Sequence, residues 1–236
     1  MKSIIWDLDD TLIYTNALFE GAREDFVCFM QGLSLFDDGI YKVINDFDIA
    51  HVRQCQGYHK ECFPYALRDT YLYYCKKYHR IPILIQQEQA EDFGWQVFKK
   101  KSKMVLNAKE VLKILGEHYA LFLLTKGDKE IQNRSLNQHD LERFFQKIYI
   151  FPNKGEKEYA SVIKENKIDV THSWSIGNSI KSDINPSLRC GLNCIHFNST
   201  SWDFENALPI APIYVVNSLT SCLEIILEQK GEMVCL

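Results

Sequence analysis

Ser3-Ile4-Ile5-Trp6-Asp7-Leu8-Asp9-Asp10-Thr11 is a short, largely apolar strand that runs into three carboxylates within four residues. Residues two apart on an extended segment point the same way, so Asp7 and Asp9 both project from the strand's end. Clustered carboxylates repel one another unless a cation or a proton relieves the charge. Mg²⁺ suits such a cluster, because it takes a few carboxylate oxygens together with water and substrate phosphate. The same residues also read as an acidic turn that caps a helix beginning near Thr15-Asn16.

Three further segments follow in order, each where an apolar run stops. Tyr119-Ala120-Leu121-Phe122-Leu123-Leu124 ends at Thr125-Lys126-Gly127-Asp128. Ile148-Tyr149-Ile150-Phe151 leads to Lys154, with a second lysine at Lys157. Ser173-Trp174-Ser175-Ile176 ends at Gly177-Asn178-Ser179-Ile180-Lys181-Ser182-Asp183. Between and after these runs the pattern alternates. It predicts helices over 105–118, 128–137, 156–166, 182–190 and 218–230, and strands over 119–124, 147–151, 173–177, 192–197 and 213–216. Pro186 falls in the first turn of its helix, where no hydrogen bond is lost; Gly191 and Gly231 read as C-terminal stops. Strand–helix alternation of this kind implies a parallel sheet with helices on both faces.

Between the first strand and the second, the chain is helical in pattern and dense in aromatics. Phe26, Val27, Phe29, Met30 and Leu33, then Tyr71, Leu72 and Cys75, fall at helical spacing. Ile81-Pro82-Ile83-Leu84-Ile85 could pass for a strand, but Pro82 argues against a central one. The division expected is a core of 1–14 and 105–236, with a helical insertion over 15–104.

In this order the four segments resemble the motifs of the haloacid dehalogenase-like (HAD) hydrolase superfamily: Asp-x-Asp-x-Thr, a Ser or Thr after a strand, a Lys, and an acidic pair after another strand. The resemblance runs from Lys2 to about Val216. As an ordered set the motifs are highly specific; alone, only the first is. The resemblance implies a Rossmann-like parallel sheet with a helical cap after the first strand. It also implies a Mg²⁺-dependent phosphatase acting on a small phosphorylated metabolite or nucleotide.

The implied roles fall on matching positions. Asp7 becomes the nucleophile that forms an aspartyl-phosphate. Asp9 becomes the general acid and base, with its backbone carbonyl on Mg²⁺. Thr125, its neighbouring N–H and Lys126 hold the phosphoryl group, and Thr125 can also cap the helix that follows. Lys154 neutralises charge and is preferred to Lys157, because Lys-Gly-Glu-x-x-Tyr looks like the family's loop lysine before a helix. Asp183 goes to the metal, directly or through water. Asn178 stands where the commonest family form has Asp, so it brings an oxygen without charge. His51, Arg53, Tyr58, His59, Lys60 and Arg68 could meet the substrate from the insertion.

Composition narrows the alternatives. At 236 residues, 46% hydrophobic and 25% charged, the chain matches ordinary soluble globular proteins. A net charge of -4 gives no case for nucleic acid or an anionic membrane, and no run is long enough to span a bilayer. The start of the chain does not read as a secretory leader, and the expected location is cytoplasmic. The eight cysteines (28, 55, 62, 75, 190, 194, 222 and 235) form no C-x-x-C and are expected as buried reduced thiols. A true dehalogenase would not need Asp9. A phosphomutase using the same residues stays open, as does a non-catalytic HAD-fold binding or regulatory module, for which Asn178 is the only support.

Overall fold

A computed structural model describes residues 1–200, 202–228 and 233–234, with the backbone alone at 203 and 234. It divides into two compact units, Met1–Asn16 with Ser102–Leu236, and Ala17–Lys101.

The first unit is built on a seven-stranded sheet. Its strands are β1 (Ser3–Trp6), β4 (Ala120–Lys126), β5 (Lys147–Phe151), β6 (Trp174–Gly177), β7 (Asn193–Phe197), β8 (Ile213–Val216) and β9 (Met233–Val234), in the order β5-β4-β1-β6-β7-β8-β9. All neighbours are parallel except β8 and β9. Around the sheet run α5 (Ala108–Gly116), α6 (Lys129–His139), α7 (Glu156–Asn166), α8 (Asn185–Arg189) and α9 (Ser221–Glu228).

Every residue of β1 is buried, as expected of a strand covered on both faces. Its side chains alternate between two cores. Ile4 and Trp6 pack with Val111, Leu112, Leu115, Ile225 and Ile226 of α5 and α9. Ile5 packs with Phe122, Leu124, and Tyr159 and Val162 of α7. The strands that follow β1 in the sheet diverge, β4 and β5 to one side and β6 to β8 to the other. A crevice at such a reversal, beyond the carboxyl ends of the strands, is where open α/β sheets bind ligands. Register confirms the convergence: Trp6 stands opposite both Leu123 and Ile176.

Several boundaries differ from expectation. β4 runs on through Thr125 and Lys126, so those residues end the strand instead of following it. The helix expected from 105 starts at Ala108, after Asn107 turns left-handed at φ 61. The helix expected from 182 starts earlier, as a wide π-type turn over Ile180–Ile184 that feeds α8. Three short strands escaped the sequence reading: β9, which pairs antiparallel with β8, and β2 (Ile13–Tyr14) and β3 (Lys103–Met104), which pair antiparallel with each other. The last helix spans Ser221–Glu228; Lys230, Gly231 and Cys235 lie outside the described residues. No helix among the described residues is long and apolar enough to cross a membrane.

The second unit carries four helices: α1 (Asn16–Gly32, whose first residue belongs to the other unit), α2 (Ile40–Gln54), α3 (Cys62–Lys77) and α4 (Leu84–Lys99). Phe26, Val27, Met30, Tyr71 and Cys75 are buried in its core, with Phe29, Leu33 and Leu72 packed against them. The 81–83 stretch is extended and leads straight into α4. His51 pairs with Asp69 at 2.8 Å, and Arg68 pairs with Asp69 at 2.9 Å while lying over the Tyr65 ring. The described cysteines are free thiols; Cys62, Cys75, Cys194 and Cys222 are buried, whereas Cys28 and Cys55 are exposed, contrary to expectation. Both lie on or just after polar helix faces, which leaves a small side chain in water at little cost.

Candidate active site

After β1 the chain turns at once. The amides of Thr11, Leu12 and Ile13 converge on the Leu8 carbonyl at 3.3, 2.9 and 3.2 Å. Asp10 makes the turn possible at φ 56, a left-handed conformation that Asp tolerates better than most residues. Its carboxylate accepts the N–H groups of Thr15 and Asn16 and the Thr15 hydroxyl, each at 3.1 Å. Burial nevertheless raises its pKa to about 6, against those hydrogen bonds. Of the three carboxylates, Asp10 is the one that binds the N–H groups at the start of the first helix.

Asp7 continues the β1 ladder, donating its N–H to the Ile176 carbonyl at 3.0 Å. Its Oδ1 meets Lys154 Nζ at 2.7 Å and its Oδ2 accepts from the Thr11 hydroxyl at 2.9 Å. Lys154 Nζ also touches Asp183 Oδ1 at 2.6 Å. Burial by itself would discharge the lysine, but Asp183 and Asp7 outweigh it and hold the ammonium well above its ordinary pKa. Asp183 is pushed upward by burial and by Asp7, and pulled back by Lys154 and by the Ser179 N–H at 2.8 Å. Lys154 sits just before Gly155, the N-cap of α7. Lys157 is an exposed residue within that helix.

Asp183 reaches this point because of Gly177 at the end of β6. A Cβ on Gly177 would lie 2.3 Å from Asp183 Oδ2 and 2.6 Å from its Cβ. Only a residue without a side chain leaves that space.

Asp9 lies beside Asp7 and is bound differently. Its Oδ2 accepts from Gln132 Nε2 at 2.6 Å. The same amide nitrogen donates to the Lys126 carbonyl at 2.7 Å and lies 3.2 Å from the Thr125 hydroxyl. Burial is the main reason the Asp9 pKa rises to about 6; the Gln132 hydrogen bond opposes it. Thr125 does not cap the following helix. Asp128 does, accepting from Glu130 N–H at 2.9 Å and Ile131 N–H at 3.4 Å. Gln132 was missed in the sequence. The signal available was its place one turn into α6, where side chains tilt back toward the helix N-terminus and hence toward the end of β4.

Asn178 is half-buried, with its Oδ1 3.5 Å from the Thr11 hydroxyl, too far to compete with Asp7 for that single proton. Its carbonyl meets His196 Nε2 at 2.9 Å. Lys126 points to a separate polar group: its Nζ donates to Ser182 at 2.9 Å and pairs with Glu205 at 2.6 Å. Asp7, Lys154 and Asp183 therefore meet directly, Asp9 joins Thr125 through Gln132, and Lys126 turns toward Glu205.

The donors that face one another are oxygens: the Asp7 and Asp183 carboxylates and, beside Thr11, the Asn178 amide. A hard-oxygen set fits Mg²⁺. The Lys154 ammonium contacts both carboxylates, at 2.7 and 2.6 Å, so Asp7 and Asp183 share one positive charge.

The profile of the haloacid dehalogenase-like hydrolases matches residues 4–197. The chain belongs to that family. A similar protein, the glyceraldehyde 3-phosphate phosphatase of Pyrococcus furiosus, is 23% identical over 98% of this chain and 95% of its own length. Among solved structures, a HAD-like hydrolase of Xanthomonas campestris superposes with a TM-score of 0.78 at 20% identity, covering 97% of each chain. A magnesium-bound HAD hydrolase of Bacillus subtilis gives 0.66 at 17% identity, over 95% of this chain and 98% of its own. At these identities the structures speak for the HAD fold alone.

Proposed function

We propose that this HAD hydrolase is a Mg²⁺-dependent phosphatase of small phosphorylated metabolites or nucleotides that works through an aspartyl-phosphate on Asp7. The observation that carries the reading is the second carboxylate, Asp9, held by one amide 2.6 Å away and two residues beyond Asp7. A nucleophile alone would suffice for a dehalogenase. The similarity to a phosphatase over nearly the whole chain supports the same choice.

Asp7, oriented by Thr11 and Lys154, attacks phosphorus. The bond from phosphorus to the ester oxygen breaks, and Asp9 gives its proton to the leaving alcohol. Asp9, now a carboxylate, then takes a proton from water; that water attacks phosphorus and releases phosphate, restoring Asp7. Lys154 balances negative charge, and Thr125 donates to a phosphoryl oxygen. Asp7, Asp183 and Asn178, with the Asp9 carbonyl, would hold Mg²⁺, which would supply positive charge to the phosphoryl oxygens when bound.

Purified protein is assayed for phosphate release from a panel of phosphate esters, with Mg²⁺ and with excess chelator, and intact mass is followed during turnover. Release that stops with chelator and returns with Mg²⁺, together with a phosphate adduct present in Asp9→Asn and absent in Asp7→Asn, is the expected result. Full activity in chelator, or an adduct on Asp7→Asn, refutes the mechanism.

A further inference from the structure

Gln132 is buried, at 5% exposure, in the second turn of a helix whose other described residues are mostly surface or half-buried. Its amide nitrogen has two protons and faces three acceptors: Asp9 Oδ2 at 2.6 Å, the Lys126 carbonyl at 2.7 Å and Thr125 Oγ1 at 3.2 Å. The two short contacts use both protons, which fixes the amide in plane. The chain is shaped around it. Gly127 adopts φ +137, and a Cβ there would lie 2.9 Å from Gln132 Nε2 and 3.4 Å from its Cδ. An amide kept in a space that only glycine leaves open is a built contact.

We infer that Gln132 is a positioning residue for Asp9, holding one carboxyl oxygen so that the other faces the ester oxygen, and tying Asp9 to the strand end that carries Thr125. This rests on the phosphatase reading and adds a residue to it. Bonding Oδ2 to a neutral donor fixes the carboxyl and leaves proton transfer to Oδ1, while the Thr15 hydroxyl is a second side-chain partner of Asp9. Because the same amide is anchored on the Lys126 backbone, the carboxyl cannot swing without breaking a contact to β4. Proton delivery depends on a group being held within hydrogen-bond reach of its target, so losing the anchor slows the step that uses the proton more than it weakens binding.

The test compares wild type, Gln132→Met, Gln132→Leu, Asp9→Asn and the double variant Asp9→Asn/Gln132→Met on an alkyl phosphate and on an aryl phosphate with a good leaving group. With the alkyl ester, both Gln132 variants should lose roughly 10-fold to 100-fold in kcat, a fraction of what a lost general acid costs, with KM within about twofold. With the aryl ester, whose leaving group needs no proton, the loss in kcat/KM, which reads the first chemical step, should be under about threefold; the later step, in which Asp9 activates water, is slowed alike for both esters. In the Asp9→Asn background, Gln132→Met should add less than about twofold, because Gln132 acts through Asp9. Equal losses of kcat/KM on both esters, a further full loss in the Asp9→Asn background, or unchanged kcat and kcat/KM would each overturn the inference. Loss of cooperative unfolding in both Gln132 variants would make the residue a folding element and overturn it equally. If wild type releases no phosphate from either ester, the phosphatase reading has failed; if wild type and Asp9→Asn behave as expected and the Gln132 variants do not, only the positioning role has failed.

Discussion

Replacing Gly177 by Ala asks for one methyl group where the Asp183 carboxyl already stands. The added Cβ would sit 2.3, 2.4 and 2.6 Å from Asp183 Oδ2, Cγ and Cβ. The clash reaches back to the Cβ, so rotation about a side-chain bond cannot relieve it. Either the backbone shifts or Asp183 leaves its place. Overpacking of this sort costs about 1–3 kcal/mol. Displacing Asp183 also breaks its contacts with Lys154 and with the Ser179 N–H. Those are buried, charge-assisted bonds of about 1.5–3 kcal/mol each, and the losses overlap. A total near 4 kcal/mol is expected, a fall in Tm of ~8–16 °C for a unit of this size. Gly21, in the interior of α1, provides the control, because a Cβ there meets nothing within 4 Å. Gly21→Ala should stabilise by about 0.5–1 kcal/mol. Urea unfolding with the slope held common to all variants measures both, and Mg²⁺ titration of turnover reports on the displaced carboxylate. A Gly177→Ala protein whose midpoint and Mg²⁺ dependence match wild type would refute the packing and the role of Asp183 together.

Lys154→Met leaves Asp7 and Asp183 buried with no cation between them, so it should destabilise by about 3–5 kcal/mol. The double variant Lys154→Met/Asp183→Asn should recover at least about half of that in urea unfolding, and no recovery would show that the pairing is not the cause. Asp48, buried in the helical unit with Arg23 at 3.8 Å, has a pKa raised by burial from 3.8 to about 6. A raised carboxyl favours the folded state when protonated, so its contribution is fully present below about pH 4 and is lost as pH rises to about 6. Asp48→Asn should remove up to ~3 kcal/mol of that fall. Stability curves of the two proteins that run parallel from pH 4 to pH 7 would contradict the burial of this charge.

The strands carrying site residues were legible because each is a compact apolar run ending in polar residues, a pattern fixed by position in a covered parallel sheet. Asp7, Thr125, Lys154 and Asp183 were singled out because the polar segments after these runs, taken in order, resemble the family's motifs. What the residues do to one another was not legible. Whether Thr125 or Asp128 caps α6 depends on where β4 ends, two residues later than its apolar run. Lys126 reads as an anion binder until Glu205, far along the chain, pairs with it. Gln132 lies in a helix whose outward pattern is polar, and its place one turn in, the one local signal, does not say which acceptors its amide meets. The paired β2 and β3 strands are two residues each, too short for periodicity to register.

The strand made first lies in the middle of the finished sheet. Ser3 pairs with Ala120, and Ile4 with Trp174, so one edge of β1 waits for over a hundred residues and the other for still longer. At ribosomal speeds of about 5–20 residues per second, the first partner arrives on the order of ten seconds after β1 is made. For that interval Ile4, Ile5 and Trp6 carry open hydrogen-bonding edges and no cover on either face, the arrangement most prone to pairing with another chain. The helical segment translated in between has a core of its own to form, while β1 has none of its own sheet to join. Its brevity, four residues that end in a burst of negative charge, is what limits the hazard: strands so short and so abruptly charged make poor templates for a stranger.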